Sequence, residues 1–289
     1  MALIPPHFLD CAVAIGTDDR DGKRSWVASG FFYGRRVPSD DSKPQYKVFL
    51  VTNRHVVEKL SVAYIRQNPQ GNEAAKEFTL PLHGPNGDPI WYPHPGEEID
   101  VAVTTVNPTA LSALGIELAF FQNDDHIATV SKMEEIGLSE GDGIFVLGFP
   151  MGLVGQRRNA VVARVGCLAR IRELLDRSAQ TFLIDASVFP GNSGGPVISR
   201  PEAAAIVDTA FQDASYLIGI VSGYIPYSDV AVSAQTGQTR VVFEENSGLA
   251  VVYPVDVIEE AIDHLKRQHE QRFGGRPTGD SVGTPKNSV

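Results

Sequence analysis

Cysteine is scarce in this sequence: Cys11 and Cys167 are the only two among 289 residues. Secreted enzymes of this size usually carry several disulfides. The two lie far apart in apolar runs, so two free, buried thiols and a reducing, cytoplasmic setting are expected. No stretch approaches the ~20 consecutive apolar residues that span a bilayer. The opening "MALIPPHFLDCAVAIG" has no basic segment leading into a long apolar one, so neither a signal peptide nor a membrane partner is expected. Basic charge is in deficit, with 25 Lys and Arg against 35 Asp and Glu and a net charge of −10. That balance disfavours nucleic acid as a partner. Repeats are absent. Recognised ligand spacing is missing as well: His83, Asp88 and His94 share a Pro/Gly-rich loop without any metal-site pattern. "GFPMG" is not followed by the GK[ST] of a phosphate loop. Neither a metal nor an organic cofactor is expected.

What the chain does have is glycine and proline, 27 and 19 of them, at short intervals throughout. Between them lie short runs rich in Val, Ile and Phe, among them "SWVASGFFYG", "YKVFLVTN", "VAVTTV", "GIFVLGFP", "TFLIDASV", "YLIGIVSGY" and "GLAVVYPV". Such runs separated by turn residues predict an all-β chain. They fall into two groups, before about residue 107 and after about residue 141, which divides the chain into 1–125, 126–270 and a polar tail, 271–289. One helix is expected near the end, where "VDVIEEAIDHLKRQHEQRF" places Val257, Ile258, Ala261, Ile262 and Leu265 on one stripe. Its acids come early and its bases late, as the helix dipole favours. The tail beyond is small and polar and is expected to be disordered. Two long insertions interrupt the second half. "SRPEAAAIVDTAFQDAS" is expected to hold a short helix, and "IPYSDVAVSAQTGQTRVVFEENS" a hairpin.

"VFPGNSGGPVIS" places Gly191, Gly194 and Gly195 around the hydroxyl of Ser193, so the backbone there must take conformations that side chains oppose. A plain hairpin would also use such residues. A serine becomes a nucleophile only with a base to take its proton. Of the seven histidines, His264 and His269 belong to the helix, and His7, His83, His94 and His126 sit among turn residues. His55 differs, standing where "KVFLVTN" ends and the chain bends. An acid is then needed to orient the imidazole. Asp100 lies directly against the apolar strand of "EEIDVAVTTV", where desolvation calls for a partner. Asp88, Asp124 and Asp125 lie among polar loop residues.

The order His55, Asp100, Ser193 is that of chymotrypsin-type enzymes. "TNRHVV", "IDVAV" and "GNSGGPV" resemble the three catalytic motifs of trypsin-like serine peptidases, in the form of the bacterial high-temperature-requirement (HtrA-like) branch. "SGFFYG", "LSEGDGIFVLGFPMG" and "GLAVVYPVDVI" resemble further stretches of that family, and the likeness covers about residues 8–268. The resemblance implies two packed antiparallel six-stranded β-barrels with a C-terminal helix and an active site between the barrels. It implies His55, Asp100 and Ser193 as the triad, and the N–H groups of Gly191 and Ser193 as the oxyanion hole. Ser222 falls where the family places a serine beside the acid. Ser187, Ser222, Gly223, Tyr224 and Ala250 fall at the substrate pocket, which would then be neutral and favour a small to medium apolar residue. Asp185, through a shifted register, or Asp229, Glu244 and Glu245 on the insertion would instead admit a basic one.

Two departures stand out. Asn192 replaces the aspartate that secreted digestive trypsins use for their activating ion pair, and no stretch after the helix matches the PDZ domain of many HtrA-like proteins. The implied function is a serine endopeptidase making limited cuts in protein or peptide substrates. A catalytically silent binding module of the same fold is the alternative. A peptidase held inactive until a protein partner arranges its loops is a third reading.

Overall fold

Short alternating segments build the first half of the chain into one sheet. In β4, VAYIRQ turns Ala63, Ile65 and Gln67 inward and the residues between them outward, the period-2 signature of a half-buried strand. The structure is a computed structural model, and it describes residues 3–273 apart from 40, 41, 59, 61, 70, 117 and 203–210. The first sheet comprises β1 (Ala12–Asp18), β2 (Arg24–Val37), β3 (Gln45–Thr52), β4 (Val62–Gln67), β5 (Lys76–Pro81), β6 (Tyr92–Pro93), β7 (Ala102–Thr105) and β8 (Phe121–Gln122). Its spatial order is β5-β4-β1-β2-β3-β7-β6, with β8 added parallel to β2. The second comprises β9 (Gly143–Gly148), β10 (Val162–Arg170), β11 (Phe182–Ala186), β12 (Pro196–Ser199), β13 (Leu217–Val232) and β14 (Thr239–Pro254). These close into an antiparallel barrel in the order β10-β11-β14-β13-β12-β9.

The expected pair of β-barrels is therefore present, with one difference. The first sheet has eight strands, and among the described residues its strand pairing is open rather than a closed ring. Its terminal strand β6 is two residues long, flanked by Pro89 and Pro95, which lack the N–H a ladder requires.

Three cores result. Val13, Ile15, Phe32, Leu50 and Ile65 fill the first sheet's interior, and Ile144, Val146, Ile184, Ile218 and Val252 fill the second barrel. The third joins the two, with Phe31, Phe49 and Val101 packing against Phe145, Leu147 and Ile198. Strand β9 is buried along its whole length because alternate residues serve the barrel interior and the joint.

Short helices punctuate the strands: α1 (Pro6–Cys11), α2 (Arg54–Val57), α3 (Pro108–Ala113), α4 (Val130–Glu135) and α5 (Arg172–Leu175). The long α6 (Asp256–Phe273) buries Val257, Ile258, Ala261, Ile262 and Leu265 against the joint, as the sequence stripe predicts. It ends at Phe273, the last residue of the segment expected to be helical, and residues 274–289 lie outside the described residues. The insertion at 225–247 is a hairpin, formed by the outer halves of β13 and β14. The helix expected in the other insertion falls mostly on residues 203–210, which are also outside the described set. Among the described residues no helix is long and apolar enough to cross a membrane. Both cysteines are free. Cys11 is buried as expected, whereas Cys167 is only half-buried, on a strand whose face is partly open.

Candidate active site

His55 belongs to α2, the single turn that follows β3, and Asp100 lies two residues before the start of β7. Strands β3 and β7 are neighbours, with Thr52 opposite Ala102, so pairing of the two strands brings the two side chains together. One Asp100 oxygen accepts the His55 backbone N–H at 2.9 Å, and the other lies 2.6 Å from His55 Nδ1. A carboxylate only accepts, so the imidazole donates from Nδ1 and leaves Nε2 free to take a proton. Asn53 donates from Nδ2 to the Asp100 carbonyl at 2.7 Å. Ser222 Oγ donates to the same Asp100 oxygen that meets the imidazole, at 3.3 Å. The acid is less enclosed than its place against a strand suggests, its side chain being 23% exposed.

Ser193 sits in the tight turn before β12. Gly191 has φ +99° and Gly194 φ +82°, values disfavoured for residues with a β-carbon. Space enforces the choice too. A Cβ on Gly191 would lie 2.4 Å from the Phe149 carbonyl oxygen, and one on Gly194 2.2 Å from that of Ser29. The Pro190 carbonyl accepts from Met151 N–H, and the Asn192 carbonyl accepts from Gly195 N–H. In a trans peptide N–H points opposite to C=O, so the Gly191 and Ser193 amides both turn away from these bonded carbonyls. Neither amide donates to a protein acceptor among the described residues. Two unused donors on either side of one hydroxyl can hold an oxyanion.

The first sheet holds this turn from below. Ser29, in β2, donates its N–H to the Ser193 carbonyl at 2.9 Å and its hydroxyl to the Gly191 carbonyl at 2.6 Å. The same hydroxyl accepts from Phe149 N–H, and the Ser29 carbonyl accepts from Thr52 Oγ1. Ser29 and Thr52 are fully buried. Sequence reasoning missed both. The available signal was a lone serine amid the apolar run "VASGFFYG". Asn192 is also fully buried, and its Oδ1 accepts from Phe189 N–H at 3.1 Å.

His55, Asp100 and Ser193 share a cleft of about 380 Å³, whose remaining lining is Val188, Phe189, Pro190, Ser222, Gly223 and Tyr224. No hydrogen bond joins Ser193 Oγ to His55. Two of the residues expected in the substrate pocket do not line the cleft. Ser187 is the centre of a three-residue turn closed by Val188 N–H to the Ala186 carbonyl at 2.8 Å, and its side chain is exposed. Ala250 lies on β14 between Ile184 and Tyr224 and faces the barrel interior, fully buried. Asp185 is exposed on β11 and does not reach the cleft either. Asn246, which sequence reasoning passed over, donates to the Val188 carbonyl and so ties the hairpin base to the cleft wall.

His83, Asp88 and His94 form no cluster, and among the described residues no group of three or more His, Cys, Asp or Glu side chains is arranged for a metal. His94 instead binds Glu260 through Nε2 at 2.8 Å and accepts from Gly96 N–H at Nδ1.

The family model described as the trypsin-like peptidase domain matches residues 28–205. That span includes Ser29, His55, Asp100 and the whole 188–199 turn. No curated protein matches the chain.

Proposed function

This chain belongs to the trypsin-like peptidase family, and from that premise we propose that it is an active serine endopeptidase working through His55, Asp100 and Ser193. The observation that carries the reading is a carboxylate-oriented imidazole sharing a cleft with a serine whose own amide and that of Gly191 have no protein acceptor among the described residues. Ser193 Oγ attacks the scissile carbonyl carbon while its proton passes to His55 Nε2. The resulting oxyanion accepts from the Gly191 and Ser193 amides, and Asp100 stabilises the imidazolium. His55 then gives the proton to the leaving amine, and water repeats the cycle on the acyl-enzyme.

The cleft wall beside Ser193 carries no charge between Val188 and Pro190, nor from Ser222 to Tyr224. A buried Lys or Arg would therefore lack a partner to offset its desolvation, and we assign a preference for a neutral, small to medium apolar residue before the cut. Descent from the HtrA-like branch belongs to this reading, as does a cytoplasmic setting, which the two free thiols favour. A peptidase gated by a protein partner is kept as the alternative to a constitutively active one.

A fluorophosphonate probe tests the proposal. Labelling that is lost in Ser193→Ala is the expected result. Labelling that needs added cell extract would assign the gated form, and none under either condition would assign a silent binding module. A library of tetrapeptide substrates tests the pocket, and strong preference for Arg or Lys would reject the neutral assignment.

A further inference from the structure

Strands β13 and β14 run far past the barrel wall and stay paired with each other out to Val232 and Thr239. On the outer edge of β13, strand β12 reaches only from Leu217 to Ile220. On the outer edge of β14, strand β11 reaches only from Leu249 to Val252. Beyond Val221 on one strand and before Leu249 on the other, neither edge has a strand partner among the described residues. A two-stranded ribbon standing alone in water is marginally stable. This one also leaves Tyr227, Val230, Val232, Val241, Val242 and Phe243 each between 46% and 60% exposed. Open strand edges bearing such side chains are templates for another strand, and natural proteins usually blunt them.

The two edges differ in charge. In its protruding half β13 carries one charged residue, Asp229, and Pro226 there has no N–H for a ladder. The protruding half of β14 reads "TRVVFEE" from Thr239 to Glu245, with its base at one end and its acids at the other. None of Arg240, Glu244 and Glu245 forms an ion pair among the described residues. Run antiparallel to itself about Val242, this segment matches itself. Arg240 falls opposite Glu244 of the second copy, Val241 opposite its Phe243, and Val242 opposite its Val242. Glu245 falls opposite Thr239, so no like charges meet. Backbone groups that point outward alternate along a strand, so the neighbouring symmetric registers set Arg240 opposite Val242 or Asn246. Only the register centred on Val242 pairs the charges.

We propose that a second copy of this chain occupies the edge. The β14 segments from Thr239 to Glu245 pair about a two-fold axis at Val242 and join two hairpins into one four-stranded antiparallel sheet. Residues directly opposite in such a pair have β-carbons about 4.5–5.5 Å apart, where opposite charges stabilise and like charges destabilise. Within each hairpin Val230 already lies opposite Val242. Val230 and Val242 of both copies therefore form one row of four valines across the joined sheet. The contact uses the same surface on each copy, so assembly closes at a dimer. Nothing in it depends on the peptidase reading.

Sedimentation velocity on the full chain tests the proposal, and a monomer–dimer equilibrium is the expected result. Arg240→Glu and Glu244→Arg each set two like-charge pairs against each other. Either should raise the dissociation constant about tenfold or more. Both residues are exposed, so the denaturation midpoint of the monomer should not move. Mixed in equal amounts, the two variants should recover the dimer, because every Arg then faces a Glu across the axis. A chain that stays monomeric at about 100 µM would overturn the proposal. A dimer that both variants leave unchanged would place the contact elsewhere and also overturn it. Loss of the dimer in each variant without recovery in the mixture would overturn the register, and the proposal with it. Cleavage by a monomer, or none by a dimer, would bear only on the peptidase reading.

Discussion

The Ser29 hydroxyl donates to the Gly191 carbonyl at 2.6 Å across 162 positions of sequence. Ser29 also binds the Ser193 carbonyl through its N–H and accepts from Phe149 N–H. One buried residue of the first sheet therefore fixes the carbonyls on either side of Asn192, and with them the peptide planes of the turn. In secreted digestive trypsins an aspartate ion pair orders the corresponding turn. Here Asn192 occupies that position without a charge.

Ser29→Ala removes the hydrogen-bond partner of the Gly191 carbonyl and of the Phe149 amide at a fully buried position. A buried unsatisfied group costs about 1–3 kcal/mol, so the chemical denaturation midpoint should fall measurably. Because the turn is positioned rather than the substrate bound, kcat on a peptide substrate should fall while KM changes little. A large rise in KM with kcat unchanged would contradict the positioning role.

Ser193→Ala should leave the denaturation curve intact and remove nearly all hydrolysis. His55→Ala should be about as damaging, and the double variant little worse than either, because in the proposed mechanism the two groups act on one proton. Losses that add in the double variant, measured as kcat/KM on the same peptide, would show that they work independently.

Cys11 is fully buried and its Sγ donates to the His7 carbonyl at 3.2 Å. Burial, with a smaller contribution from Asp10, pushes its pKa well above that of a free thiol, and the thiolate is the reactive form. Cys167 is half-buried. A disulfide reagent applied to the native protein should modify Cys167 first, with Cys11 reacting only on unfolding. Mass mapping that finds Cys11 modified early would contradict this.

The rings of His7 and His126 lie against each other, centroids 4.5 Å apart and planes tilted by 51°, and burial is the main cause that lowers the pKa of each. Nδ1 of His126 accepts from Gln122 N–H at 3.0 Å, a bond that needs the nitrogen unprotonated. The unfolded chain therefore takes up more protons than the folded one as pH drops below about 6.5. Stability from this pair is complete above that value and is lost as pH falls toward the lowered folded pKa. The melting temperature should decline between about pH 7 and pH 5, and His126→Gln should flatten the decline. A wild-type profile that rises on acidification would contradict the assignment.

Local chemistry made several features legible before any tertiary contact was considered. Three glycines around Ser193 announce a backbone that β-carbons resist, and two of them do have positive φ. The helical stripe from Val257 to Leu265 and the hairpin at 225–247 are likewise written in periodicity and turn residues, which depend only on near neighbours. The order of His55, Asp100 and Ser193 pointed to one site through resemblance to a family, and strand pairing explains how the first two meet.

Other features were decided only by the tertiary structure. The family resemblance implies Ser187 and Ala250 at the pocket, yet a three-residue turn sends one outward and strand register sends the other into the core. A shift of one position in a strand moves a side chain to the opposite face, and spacing from the nucleophile does not encode that choice. Ser29 became visible only when β2 was brought beneath the turn, because Gly191, Ser193 and Phe149, which it binds there, lie more than a hundred residues away. The open edge beyond Val221 is a matter of which strands stop and which continue. Sequence by itself determined the conformations and apolar faces of single segments, since these follow from sterics and burial within a few residues. Which groups meet across the cleft, and which edge stays unpaired, was decided by register and by the packing of one sheet on the other.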